Sequence, residues 1–216
     1  MSSVTRLAAG WLLVSVAGCS HSGPEAALPP AQAAAFKTIK ALNAKVAVRH
    51  GEVVYADFYG MQDAASAVVH LKSFPHLEKL NFSSTNVTDK ELVHLASLTE
   101  LKELALNRTH VTDNGLIHLA GLTKLEVLNF NEDDVTDAGL VHLHNMKELK
   151  HLHLNQTKVS DAGLKHLAGL EQLKWLLVYG TSVTPSGAAT FREHHPDTEV
   201  VTTEGDNEAG SQPENK

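Results

Sequence analysis

LKELALNRTHVTDNGLIHLAGLTK, residues 101–124, and LKHLHLNQTKVSDAGLKHLAGLEQ, residues 149–172, are two statements of one phrase. The phrase opens at Leu77, Leu101, Leu125, Leu149 and Leu173, each 24 residues after the last. A fixed period of this length marks a solenoid, because each unit is one supersecondary element too small to enclose its own core. In the Leu101 unit the apolar positions are Leu101, Leu104, Leu106, Val111, Leu116, Leu119 and Leu122, and the Leu149 unit repeats them. LxxLxL has the period of two of a short strand with one buried face. LxxLxxL has the spacing of one helical stripe. Strand and helix in every unit make the class α/β, and neighbouring units must stack to share one core.

The pattern LxxLxLxxTxVTDxGLxHLxxL resembles the bacterial leucine-rich repeats, and the resemblance runs from Leu77 to Phe191. It implies a leucine-rich-repeat solenoid, with a curved parallel sheet on the concave side and short helices on the convex side. It also implies a non-enzymatic protein-interaction module that meets its partner on the concave sheet.

Residues 1–18 read as an export signal: Arg6 precedes the apolar run LAAGWLLVSVA, which is shorter than the roughly 20 residues of a membrane span. The junction VAGC, Val16 to Cys19, resembles the lipobox of bacterial lipoproteins, which implies lipidation of Cys19 and a membrane anchor; a plain secretory signal is the alternative. Ser20 after the cysteine resembles the signal for outer-membrane delivery. Residues 19–30 form a flexible tether without apolar periodicity. Residues 31–52 form a cap, with an amphipathic helix in AQAAAFKTIKALN (Ala31 to Asn43) and the start of a hairpin turning at His50-Gly51-Glu52. Residues 53–76 are a degenerate first repeat, with Asp63 in the slot of Val87, and residues 77–195 are five full repeats. Residues 196–203 supply an edge strand, and residues 204–216 an acidic tail that is expected to be disordered.

The formal net charge is −7, and no block of Lys or Arg tracks a phosphate backbone, which argues against nucleic acid. A single cysteine allows no internal disulfide. Two regular columns invite chemistry. Thr88, Thr112, Thr136, Ser160 and Thr184 precede the helices, and Asp89, Asp113, Asp137 and Asp161 follow them by one; N-capping and the helix dipole account for both. Thr88 with Glu91 makes a capping box. His70, His94, His118, His142 and His166 form a histidine ladder with no Cys or carboxylate in its column, so no metal and no cofactor is expected there.

Thr85, Thr109, Thr157 and Thr181 suit the strand-to-loop corner, where Asp133 interrupts the column and, with Glu132 and Asp134, makes an acidic knob on a solvated loop. The concave face should carry Tyr55, Lys79, Glu103, Val127, His151 and Trp175 in one column. A second holds Asp57, Asn81, Ala105, Asn129, His153 and Leu177, and a third Tyr59, Ser83, Asn107, Asn131, Asn155 and Tyr179. The partner-binding candidates are Tyr55, Tyr59, Asn107, Asn131, His151, His153, Asn155, Trp175, Leu177 and Tyr179, with the aromatic end as the anchor.

No GxSxG, HExxH or phosphate loop is present, so no catalytic residue is assigned; His151 and His153 with Glu132 nearby make only a weak acid/base set. The function expected is thus a lipid-anchored interaction module of the bacterial cell envelope. The alternatives are a structural envelope lipoprotein that binds cell-wall components or itself, and a histidine-based metal-binding protein or hydrolase.

Overall fold

Eight strands follow one another in sequence order across a single sheet in the computed structural model of the chain, which describes residues 28–203. They are β1 (Lys45–Arg49), β2 (Glu52–Asp57), β3 (Lys79–Asn81), β4 (Glu103–Ala105), β5 (Val127–Asn129), β6 (His151–His153), β7 (Trp175–Leu177) and β8 (Glu199–Val201). β1 pairs antiparallel with β2, and every later pair is parallel. Leu80, Leu104, Leu128, Leu152 and Leu176 lie opposite one another, so each strand meets its own equivalent one period on. All five are fully buried.

The chain returns between strands through a helical layer. It consists of α2 (Ala64–Leu71), α3 (Asp89–Leu92), α4 (Asp113–Leu116), α5 (Asp137–Leu140) and α6 (Asp161–Leu164). The last four each continue into a 3-10 turn, at Val93–Leu95, Ile117–Leu119, Val141–Leu143 and Lys165–Leu167. The LxxLxxL leucines of this layer point inward and are buried against the strand leucines.

At the N-terminal end, α1 (Pro30–Ala41) packs beside α2 and buries Phe36 and Ile39. It begins one residue before the expected start because Pro30 takes the first turn, where its missing N–H costs nothing. His50 and Gly51 alone make the hairpin turn, both at positive φ (52° and 80°), the mirror-image geometry that suits the twist of paired strands. Glu52 therefore belongs to β2 and not to the turn.

At the other end, α7 (Pro185–His194) buries Ala188 and Phe191 and leads into β8. Arg192 Nη2 donates to the Val200 carbonyl at 2.6 Å, closing an acceptor of the edge strand that would otherwise invite another chain. Positions 1–18, Cys19 and the tail 204–216 lie outside the described residues. Among those described, no helix is long and apolar enough to cross a membrane.

Each Asp of the acidic column stands in the first turn of its own helix, as expected, and its carboxylate also serves the next repeat. Asp89 accepts from Thr112 N–H at 2.8 Å and from Thr112 Oγ1 at 2.7 Å. Asp113 does the same for Thr136, Asp137 for Ser160 and Asp161 for Thr184. For a carboxylate to reach the N-cap, the third helical residue must carry no side chain. Gly115, Gly139, Gly163 and Gly187 occupy that place, and a Cβ on Gly115 would lie 2.5 Å from Asp89 Oδ1.

The Leu77 unit has Ala65 where an upstream Asp would stand and Glu91 where the glycine would stand. There the Glu91 carboxylate takes Thr88 N–H at 2.9 Å and Thr88 Oγ1 at 2.7 Å, the same two donors from within the unit. The capping box at Thr88 and Glu91 is present as expected.

Candidate functional site on the concave face

The outward columns form in register: Tyr55, Lys79, Glu103, Val127, His151 and Trp175 in one, and Asp57, Asn81, Ala105, Asn129, His153 and Leu177 in the next. They are not equally open. Asp57, Asn81 and Ala105 are buried, whereas Asn129, His153 and Leu177 are half-buried, as is the whole Tyr55-to-Trp175 column. Only the second column is thus closed in the N-terminal half of the hollow.

Local turn chemistry accounts for much of the polarity. Asp57 Oδ1 accepts from Tyr59 N–H, Asn81 Oδ1 from Ser83 N–H and Asn129 Oδ1 from Asn131 N–H, each at 2.9 Å. This is the Asx turn that ends β2, β3 and β5. In the third column, Asn131 Oδ1 accepts from Asn155 N–H and Asn155 Oδ1 from Tyr179 N–H, both at 2.8 Å, while Asn107 Oδ1 lies 2.6 Å from Ser83 Oγ. The oxygens of Asn107, Asn131 and Asn155 therefore tie one repeat to the next. Tyr59 stands at the rim, 54% exposed. Tyr55 is recessed: burial first, and then the Asp57 carboxylate that accepts its hydrogen bond, holds its phenol protonated well above the usual range.

The open half gathers His151, His153, Trp175 and Leu177 on two adjacent strands, with Val127 and Asn129 on the next. Burial lowers the His151 imidazole, helped by Lys150, and pushes His153 down to about 4, helped by His151. His153 keeps some accessible area, yet it lies deep in the hollow, where water cannot solvate a charge. It is neutral at pH 7, and neutral imidazole beside Trp and Leu offers hydrogen bonding on an otherwise apolar patch.

Glu132 does not complete an acid/base set. It turns back on the loop at φ 61° and pairs with Arg108 at 2.6 Å. The acidic knob dissolves with it, since Asp134 pairs with Lys158 at 2.6 Å and Asp133 is only 5% exposed. Asp133 Oδ1 accepts from Thr109 N–H at 2.7 Å and from Thr109 Oγ1 at 3.2 Å, so the side chain turns inward to the corner column and not out to solvent. Among the described residues no group of three or more His, Cys, Asp and Glu side chains is placed to hold a metal ion.

Comparison with known proteins bears on this geometry. The family model described as "Leucine Rich repeat" matches residues 75–93 and 145–168. An internalin (inlF) from Listeria monocytogenes is similar in structure, with a TM-score of 0.54 at 22% identity, over 62% of this chain and 36% of its own. The chain thus spans about a third of that protein's length. An internalin C2 from the same organism gives 0.52 at 18% identity over 83% of this chain and 96% of its own. The fold is a leucine-rich-repeat solenoid. A search of the curated proteins found no match. Within the leucine-rich-repeat solenoid the sheet is the concave side, and it carries the varied residues between the invariant leucines.

The repeat pattern located these columns because period two fixes which residues face out. It could not reveal which outward residues would be spent on their neighbours. The signal for the Asx turns was present in Asp57, Asn81 and Asn129, the last residues of β2, β3 and β5.

Proposed function

We propose that the chain is a non-enzymatic protein-interaction module, anchored through a lipid on Cys19 in the bacterial cell envelope, at the outer membrane. It binds a protein partner with the C-terminal half of its concave face. One observation carries the reading: the Asp57-to-Leu177 column is buried from Asp57 to Ala105 and becomes half-buried from Asn129 to Leu177, where it lies beside His151 and Trp175. Aromatic and aliphatic anchors in a partly desolvated hollow are where interface energy concentrates. Leucine-rich repeats generally serve as protein-binding modules, in keeping with the family-model match.

The test is capture from envelope extract, comparing the parent chain with a W175A/L177S variant of unchanged circular dichroism. Both side chains are half-buried on the sheet surface, so the core remains intact. The variant should lose at least tenfold in capture of a specific protein; equal capture by both chains overturns the concave site. Acyl-chain mass on the Cys19 peptide of cell-derived protein checks the anchor separately.

A further inference from the structure

Two imidazoles stand side by side on β6 and neither is used by the fold. His151 and His153 are two residues apart on one strand, so they face the same side, and both are half-buried in the hollow. Val127 and Trp175 flank the first, Asn129 and Leu177 the second, all four half-buried as well. Neither imidazole makes a hydrogen bond or an ion pair among the described residues. Ring nitrogens in so sheltered a place cost free energy until something meets them, and here only a molecule entering the hollow can do so.

The charges around the pair are already matched. Of the carboxylates near His151, Glu103 pairs with Lys79 at 2.6 Å and Glu126 with Lys150 at 2.7 Å. Lys174, just before β7, pairs with Asp197 at 3.6 Å. Val127 and Asn129 on β5 and Trp175 and Leu177 on β7 carry no charge, and the titratable group that bears on His153 is His151. Burial keeps both rings neutral at pH 7, reinforced by Lys150 at His151 and by His151 at His153. A chain of net charge −7 thus leaves this end of its concave face without net charge. A charged partner group set down here would be desolvated with no counter-ion. An uncharged group can exchange hydrogen bonds with neutral imidazole, which both donates and accepts.

We infer that the protein partner enters the hollow with an uncharged, largely apolar segment that hydrogen-bonds His151 and His153, and that acidification expels it. The inference rests on the concave site proposed above. A segment seated on Trp175 and Leu177 also covers both rings, and a covered imidazolium has neither water nor a free carboxylate beside it. Each proton taken up by the empty hollow therefore competes with the partner. Affinity falls by up to about tenfold per pH unit for each proton excluded, below the point where that ring titrates in the free chain. Both points lie below the ordinary 6.5, so affinity is level above it. The sign identifies the segment: one bearing carboxylates would bind more tightly as the rings gain charge, and a basic one would lose affinity to salt at neutral pH.

The probe is the protein that the parent chain captures from envelope extract at pH 7.5 and that W175A/L177S loses. Once purified, its affinity for the full chain is measured from pH 7.5 to 4.5, within the range of unchanged circular dichroism. Affinity should hold within about threefold down to pH 6.5 and be about tenfold weaker at pH 4.5. At pH 7.5 it should change by less than about threefold between 0.05 and 0.5 M salt. Imidazole proton resonances give a second reading: His151 should titrate about one pH unit lower in the complex than in the free chain. Affinity independent of pH, tightening on acidification or loss in high salt each overturns the proposal, as does a His151 that titrates at the same pH free and bound. An H151Q chain that binds yet declines as steeply as the parent also overturns it. Failure of the concave site shows earlier and separately, as capture shared equally by the parent and W175A/L177S, and it takes the inference with it.

Discussion

Asp133 is the residue at which the repeat's rule is broken inside the structure. In the same column Thr85, Thr157 and Thr181 donate their hydroxyls to the carbonyls of Phe82, Leu154 and Val178, three residues back. A carboxylate in that corner has no proton to give, and Asp133 Oδ2 is buried without a partner. Burial raises its acid to about 8, against the lowering effect of the Thr109 hydrogen bonds and with a further push from Asp134 and Glu132. The folded value thus lies above the ordinary 3.8. The native state holds the proton more tightly than the unfolded chain, so this contribution to stability is complete below about 4 and is lost as pH climbs towards 8. An Asp133→Thr variant should therefore be more stable than the parent by about 1–3 kcal/mol at pH 9, the cost of a buried unpaired polar group. The gap should shrink steadily towards pH 4, as read from urea midpoints; a gap independent of pH would sink this account. The column position already implied an inward side chain, but the acidic neighbours Glu132 and Asp134 suggested solvent. Periodicity was the better guide, because side-chain direction is set by the backbone and not by charge.

At the scale of the element, each helix from α4 to α7 depends on a carboxylate from the unit before it. Glycine inside a helix ordinarily weakens it by up to about 1 kcal/mol relative to alanine. Here Gly163 makes room for Asp137, whose carboxylate a Cβ would meet together with Leu140 Cδ1 at 3.1 Å. Gly163→Ala should accordingly destabilise the fold by about 1–3 kcal/mol, the scale of overpacking. Its combination with Asp137→Ala should cost less than the sum of the two, a coupling that a double-mutant cycle on thermal unfolding measures. A stabilising Gly163→Ala would contradict the geometry outright. The sequence announced the helix, its N-cap and its glycine letter by letter, yet the reason for the glycine lay across the repeat boundary. What could have exposed it is the one unit where Ala65 and Glu91 replace the Asp and Gly together. Pattern reading favours what recurs, and the explanation sat in the exception.

For the molecule as a whole, strand order and register followed from the period alone, since parallel strands one unit apart put leucine opposite leucine from Leu80 to Leu176. The distribution of open and filled surface did not follow, because burial of Asp57 and Asn81 depends on turn bonds within each unit. Interchangeable interior units make a sharp prediction. Removing residues 113–136 joins Thr112 to Asp137 and presents Gly139 to Asp89, so the acid, cap and glycine set stays matched. That chain should unfold cooperatively with a smaller urea m-value, in step with its smaller buried surface. Removing residues 113–130 instead breaks the match and should abolish cooperative unfolding; equal behaviour of the two deletions would contradict the interlocking. The unit with Glu91 cannot trade places in this way. An aspartate upstream would meet its side chain, and a glycine unit moved to the front would leave its threonine N–H without an acceptor. Tandem copying or loss of a 24-residue block can thus lengthen or shorten the gene in the middle, while the leading unit is written once and stays first.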